Sequence, residues 1–154
     1  MHPDEITPLA ASAATKHNLP PRLVLAIVQV ESAGKPDATR YEPAFFNRYI
    51  RPLNLPEAEG KGRATSWGLM QIMGETARTL GFAGAFTSLL IPAIGLEWGC
   101  AFLSRLRDRY ACESWECICR AYNGGPGNRH NLANTYPAKV LAALGGEWPQ
   151  KEQP

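Results

Sequence analysis

The hydrophobic positions of this chain fall into helical periods separated by clusters of proline, glycine and asparagine, and almost nowhere into the period-two alternation of a strand. The most apolar run is Leu23 to Gly34, LVLAIVQVESAG. Pro20 and Pro21 open it, since proline in a first turn forfeits no hydrogen bond the helix would have made. Gly34 and Pro36 close it, the glycine as a left-handed cap and the proline as a block to continuation. An alanine-rich first helix is predicted from Thr7 and Pro8 to His17, with threonine as its cap. The longest stretch, Pro92 to Tyr110, puts Trp98, Phe102, Leu106 and Tyr110 at helical spacing. Shorter helices are predicted over Glu75 to Leu80, Ser114 to Tyr122 and Pro137 to Leu144. Between these lies a long loop from Lys35, with one helix at Pro43 to Ile50 and a short strand near Trp67. Residues beyond Gly146 read as frayed. The fold class is mainly α with at most a small β-hairpin.

The Leu23 run carries a single ionisable group, Glu31. Val24, Ile27 and Glu31 share one stripe, which aims the carboxyl toward apolar packing. Burial disfavours the ionised form, and the negative end of the helix dipole acts in the same direction, so the expected pKa is raised. A carboxyl group kept protonated near neutral pH suits general acid catalysis. The competing reading is a glutamate that simply leaves a core helix for solvent.

Composition narrows the class. The 154 residues are 45% apolar and 19% charged, with a net charge of +2. That is an ordinary globular balance for one domain over 1–154, with its core over about 20–145. No basic run points to nucleic acid, and a mildly basic protein suits an anionic polymer. The first residues, MHPDEITPLAASAATKHN, have acids where a secretory signal carries bases, so neither a signal peptide nor a membrane span is expected. Cys100, Cys112, Cys117 and Cys119 match no paired zinc spacing and read as free, mostly buried thiols, with a Cys100 pairing left open. No metal and no cofactor is called for.

Other segments carry chemistry more weakly. Gly68 in SWGLMQIM, Ser66 to Met73, permits a close backbone approach, and Gln71 offers a donor and an acceptor. Glu42 sits among Tyr41, Phe45, Phe46 and Tyr49; these rings suit either sugar stacking or a satellite core under the loop. Arg105, Arg107 and Arg109 fit the dipole rule at a helix C-terminus.

Taken in order, VESAG at Val30 to Gly34, SWGLMQIM, AYNGGPG at Ala121 to Gly127 and, less sharply, NTYPAKVL at Asn134 to Leu141 resemble the soluble lytic transglycosylase family of lysozyme-like enzymes. The stretch YEPAFFNRYI between the first two motifs is longer than in common members and is similar to some phage-encoded wall-degrading enzymes, of endolysin or virion-associated kind. The resemblance implies a lysozyme-like helical domain, and peptidoglycan as substrate of a monomeric enzyme. Glu31 would be the one catalytic acid and base. Ser32 would lie beside it, and Ser66, Gly68, Met70, Gln71, Asn123 and Tyr136 would line the sugar groove. Tyr122 would hydrogen-bond near Glu31.

Two-carboxylate glycosidases need a second acid roughly 5 to 9.5 Å away. A transglycosylase needs none, because the substrate's own C6 hydroxyl closes a 1,6-anhydro ring at high effective concentration. Glu42 is the candidate second carboxylate for the alternative, a hydrolytic muramidase of goose-type-lysozyme kind. A non-catalytic wall-binding or virion structural module is a third reading, against which a buried acid argues. The expected route is synthesis in the cytoplasm and access to the wall by phage lysis or within a virion, with bacterial export second.

Overall fold

The computed structural model describes residues 2–110 and 112–150. Helix α1 (Pro3–Lys16) begins a turn before the predicted start. The His2 ring accepts the Asp4 N–H while the Glu5 carboxylate accepts the His2 N–H at 2.9 Å, a reciprocal cap that outweighs the one backbone bond lost at Pro8. Helix α2 (Pro21–Ser32) matches its prediction, except that the left-handed turn starts on Ala33 (φ 51°) and continues through Gly34 (φ 77°).

The segment after α2 is more structured than its prolines suggest. Strand β1 (Thr39–Tyr41) pairs antiparallel with β2 (Thr65–Trp67), which pairs in turn with β3 (Ile72–Met73). The predicted helix at Pro43 exists with mixed pitch: one α turn, α3 (Pro43–Phe45), widens into a π turn over Phe46–Ile50 and tightens to a 3-10 turn at Arg51–Leu53. A further helix, α4 (Glu57–Arg63), was hidden by its two glycines. Both are there for packing: Gly62 lies under the Phe86 ring, and Gly60 against Ile50 and Phe46.

The β2–β3 turn fixes the middle of the fold. Gly68 is left-handed (φ 76°), and a side chain there would run into the Leu89 carbonyl. Its N–H donates to the Ala38 carbonyl at 2.8 Å. The turn drives Leu69 and Met70 into the main core, where both are fully enclosed.

Helices α5 (Gly74–Thr79), α6 (Pro92–Arg109), α7 (Trp115–Gly124) and α8 (Tyr136–Ala143) complete the chain. Ser114 caps α7 by accepting the Cys117 N–H. The main core gathers apolar faces of α1, α2, α6, α7 and α8 around Leu69 and Met70. A smaller core, of Ile72, Ala77, Phe82, Phe86 and Leu89, lies under the sheet, and Phe102 of α6 packs against both. The fold is thus mainly α with a three-stranded sheet.

Two expectations need correction. Cys112 and Cys117 are not free thiols but a disulfide, because the capped turn brings their Cα atoms to 5.4 Å. Cys100 and Cys119 are free, and burial pushes each thiol up to about 12. The segment after Gly146 is docked over Trp148 and Pro149, where Trp148 packs on the main core and the Trp115 indole N–H donates to the Pro149 carbonyl at 2.9 Å; the rest of the predicted frayed tail, 151–154, lies outside the described residues. No helix among the described residues is long and apolar enough to cross a membrane.

Candidate active site

A cavity of about 590 Å³ lies where the C-terminal ends of α2, α6 and α7 meet the sheet and α5. Glu31 opens into it from the end of α2, Ser66, Gln71 and Met73 from the sheet, and Glu42 with Phe45 from the segment around α3. The opposite wall holds Phe102, Arg105 and Arg109 of α6, and the end of α7 supplies Tyr122 and Asn123.

The stripe that aims Glu31 inward is real, with Val24 and Ile27 wholly buried below it. Burial is the main cause of a carboxyl pKa above its ordinary value. Tyr136, Arg40 and Lys139 oppose that rise by favouring the ionised form, without reversing it. The Tyr136 hydroxyl is buried without a partner in full hydrogen-bond geometry, yet it lies near enough to the carboxyl to stabilise its charge. Burial, and after it the nearby Glu31, holds the Tyr136 phenol protonated far above the usual tyrosine range.

Tyr122 lies near Glu31 and its hydrogen bond goes to the backbone beside it. Its hydroxyl donates to the Met70 carbonyl at 2.6 Å, so it pins the β2–β3 turn to α7 and does not bond Glu31. Its ring lies 5.3 Å from that of Phe102 and still faces the cavity. The phenol is pushed well up by burial and by the nearby Glu31.

Three other candidates stand behind the cavity wall. The Ser32 hydroxyl lies 2.8 Å from the Leu69 carbonyl oxygen and 3.1 Å from that of Val28, sharing its proton within the core. Met70 is enclosed and packs against Gly99 of α6. Gly68 is buried under Leu89. Gly68 and Met70 are displaced by one cause: the β2–β3 turn carrying them points its apolar residues at the helices, leaving only its flanks for the groove, and Ser32, at the end of α2, is held by that same turn through the Leu69 carbonyl. Gln71 does reach the cavity, but its amide N–H2 already donates to the Ala38 and Gly68 carbonyls at 3.0 Å, leaving the amide oxygen for a ligand. Asn123 lies on the cavity wall and accepts from the Asn134 amide at 3.3 Å.

Glu42 shares the cavity with Glu31 but is ion-paired with Arg40, Nε to Oε1 at 2.5 Å. Glu75, also on the wall, pairs with Arg63 at 3.3 Å. Glu31 is thus the one carboxyl on this wall with no ion pair among the described residues. Sequence reasoning missed the contributions of Arg105 and Arg109, which had read as dipole partners only. Their i, i+4 spacing on one face of α6 was the available signal.

A helical domain whose small sheet closes one side of a cleft, with a half-buried glutamate at a helix end inside it, has the build of a lysozyme-like protein. The model of the transglycosylase SLT domain matches residues 8–140, and the chain belongs to that family. It is also 33% identical over 132 residues to a protein of Enterobacteria phage PRD1 named "Transglycosylase". That match covers 84% of this chain but 39% of the relative, so the chain spans about two-fifths of the relative's length. No solved structure matches it.

Proposed function

We propose that the chain is a peptidoglycan lytic transglycosylase that cuts the β-1,4 bond between N-acetylmuramic acid and N-acetylglucosamine. Glu31, protonated, donates to the bridging oxygen as the bond breaks. The substrate's acetamido group shares the positive charge of the anomeric carbon. The resulting carboxylate then takes the proton of the muramic C6 hydroxyl, whose oxygen closes the 1,6-anhydro ring. No water is consumed and Glu31 returns to its starting state.

One observation carries this reading: a single carboxyl with a raised pKa faces a cavity in which the other carboxyls are already paired with arginines. Burial supplies the proton donor, and the stabilising groups Tyr136, Arg40 and Lys139 favour the anion that forms halfway through. A hydrolase would need a second carboxylate to activate water, and the Arg40 pair occupies Glu42. A pure wall binder would bury an acid at a cost and without use. Ser66, Gln71 and Asn123 would contact the sugars, with Phe45 and Tyr122 offering ring faces. The phage origin of the PRD1 relative favours an enzyme that meets the wall during phage entry or lysis.

The test is digestion of purified wall by wild-type, Glu31→Gln and Glu42→Gln proteins, with mass analysis of the products. The expected product is the anhydro sugar, one water lighter than a hydrolysed end. Glu31→Gln should lower the rate ~100-fold or more, and Glu42→Gln far less. A hydrated product, or equal loss in both variants, overturns the reading.

A further inference from the structure

The arginines of this protein are almost all engaged. Arg40, Arg63 and Arg78 pair with glutamates, and Arg107 binds Asp108 and the His17 and Asn18 carbonyls. Arg22, Arg120 and Arg129 donate to backbone carbonyls. Arg48, over the Tyr49 ring, and Arg105 and Arg109 have neither an ion pair nor a hydrogen bond among the described residues; of these three, Arg105 and Arg109, the latter over the Tyr110 ring, lie on the wall of the Glu31 cavity. They stand one turn apart on the same face of α6, next to Tyr110. Arg107, between them in sequence, already serves the helix end and the α1–α2 turn, so packing does not require the other two. The cavity therefore has a neutral or acidic region around Glu31 and one end bearing two positive charges that no carboxylate among the described residues pairs with.

A guanidinium without a protein partner at the end of a polar cleft is matched by an anion on whatever fills the cleft. A neutral glycan has none. If the cleft takes peptidoglycan, as proposed above, the anion within reach of the sugar chain is a carboxylate of the peptide carried by the muramic acid. We propose that Arg105 and Arg109 form an anion-binding end of the cleft that receives a stem-peptide carboxylate and so selects glycan strands still bearing acidic peptides.

The proposal rests on the glycan-cleavage reading, and its test separates the two. Purified wall is compared with the same wall after chemical amidation of its peptide carboxylates, which removes the charge and keeps the size. Each is digested by the wild type, by the double variant Arg105→Gln/Arg109→Gln and by Arg105→Lys/Arg109→Lys. On native wall the glutamine variant is expected to lose about tenfold in kcat/KM, as two exposed charge contacts allow, and the lysine variant much less. On amidated wall wild type and glutamine variant should be nearly equal, with the wild type lowered to meet the variant. High salt should shrink the difference on native wall. An equal loss on both walls, or no loss on either, overturns the anion-binding role. Wild-type protein inactive on both walls overturns the glycan-cleavage reading itself.

Discussion

The hydroxyl of Tyr136, buried at the start of α8, faces the carboxyl of Glu31 at the end of α2, and no other group among the described residues satisfies it. The two residues are more than a hundred positions apart, and the packing of α8 against α2 brings them together. The hydroxyl stabilises the carboxylate more than the acid, so it restrains the rise in pKa that burial causes. Removing it should raise the Glu31 pKa further.

Tyr136→Phe is therefore expected to extend activity toward alkaline pH. A general acid works while protonated, so the alkaline limb of kcat/KM tracks its pKa and should move up in the variant. The rate at neutral pH should fall, since the anion formed halfway loses a donor, by about tenfold. Stability should change little, because the lost hydroxyl has no full hydrogen bond. A pH–rate profile checks this; an alkaline limb that stays put or moves down would contradict the pairing.

Glu31 also makes a prediction about folding. Its folded pKa is raised above that of the unfolded chain, so the native state holds the proton to higher pH. Stability is then undiminished below the unfolded pKa, falls as pH rises through the interval between the two values, and stays lowered above the folded one. Glu31→Gln removes this loss. The variant should melt at a higher temperature than wild type at pH 7, with the advantage shrinking as pH falls below the ordinary glutamate range. Thermal melts at the two pH values test this directly. A variant less stable than wild type at pH 7 would mean that the carboxylate contributes to folding.

What the sequence revealed about this site followed from how locally each feature is encoded. Helix α2 and the inward aim of Glu31 are visible in a dozen residues, because prolines, a glycine and an apolar stripe act within a turn or two. Strand β1 is not visible, since all three residues are exposed and no alternation marks them. Helix α4 is masked because Gly60 and Gly62 answer to Phe46, Ile50 and Phe86, which arrive from other segments. The same limit applies to the motif around Gly68: its residues are legible as a group, but which of them face the cavity depends on where Leu69 and Met70 find a core. The Cys112–Cys117 bridge depends on the turn geometry at Ser114, and spacing alone did not provide it.

Gly68 tests how tightly that turn is set. Any side chain there must adopt a left-handed backbone and displace the Leu89 carbonyl. Gly68→Ala is expected to cost about 2–4 kcal/mol, measured by denaturant unfolding. It should also slow wall clearance, because Ser66 and Gln71 on either side of the turn would shift in the cavity. Gly81, which has open space around its would-be side chain, is the control: its cost should be confined to the left-handed backbone, about 1–2 kcal/mol. Similar losses at both positions would show that the Leu89 contact is not limiting.

The packing of α5, which lines the cavity, against α4 depends on one ionic cluster, and acid should dissolve it. Glu59 accepts from Arg78 through both carboxylate oxygens, at 2.8 and 3.0 Å, and from Arg63 at 3.0 Å. Arg78 also donates to the Phe82 and Gly84 carbonyls and stacks on the Phe86 ring at 3.9 Å, so it fastens the segment beyond α5 to α4. The Arg78 hydrogen bonds are the largest cause that pulls the Glu59 carboxyl down to about 2. Because this folded value lies below the unfolded one, the stabilisation is fully present above the ordinary glutamate pKa and is lost as pH falls through about 2. Glu59→Gln is expected to cost about 1–2 kcal/mol at pH 7. Wild type and variant should converge as the pH is lowered toward 2, measured by urea unfolding at stepped pH. A gap that does not narrow with acid would assign the cost of the variant to packing around Arg78 and leave the charge of Glu59 without a role.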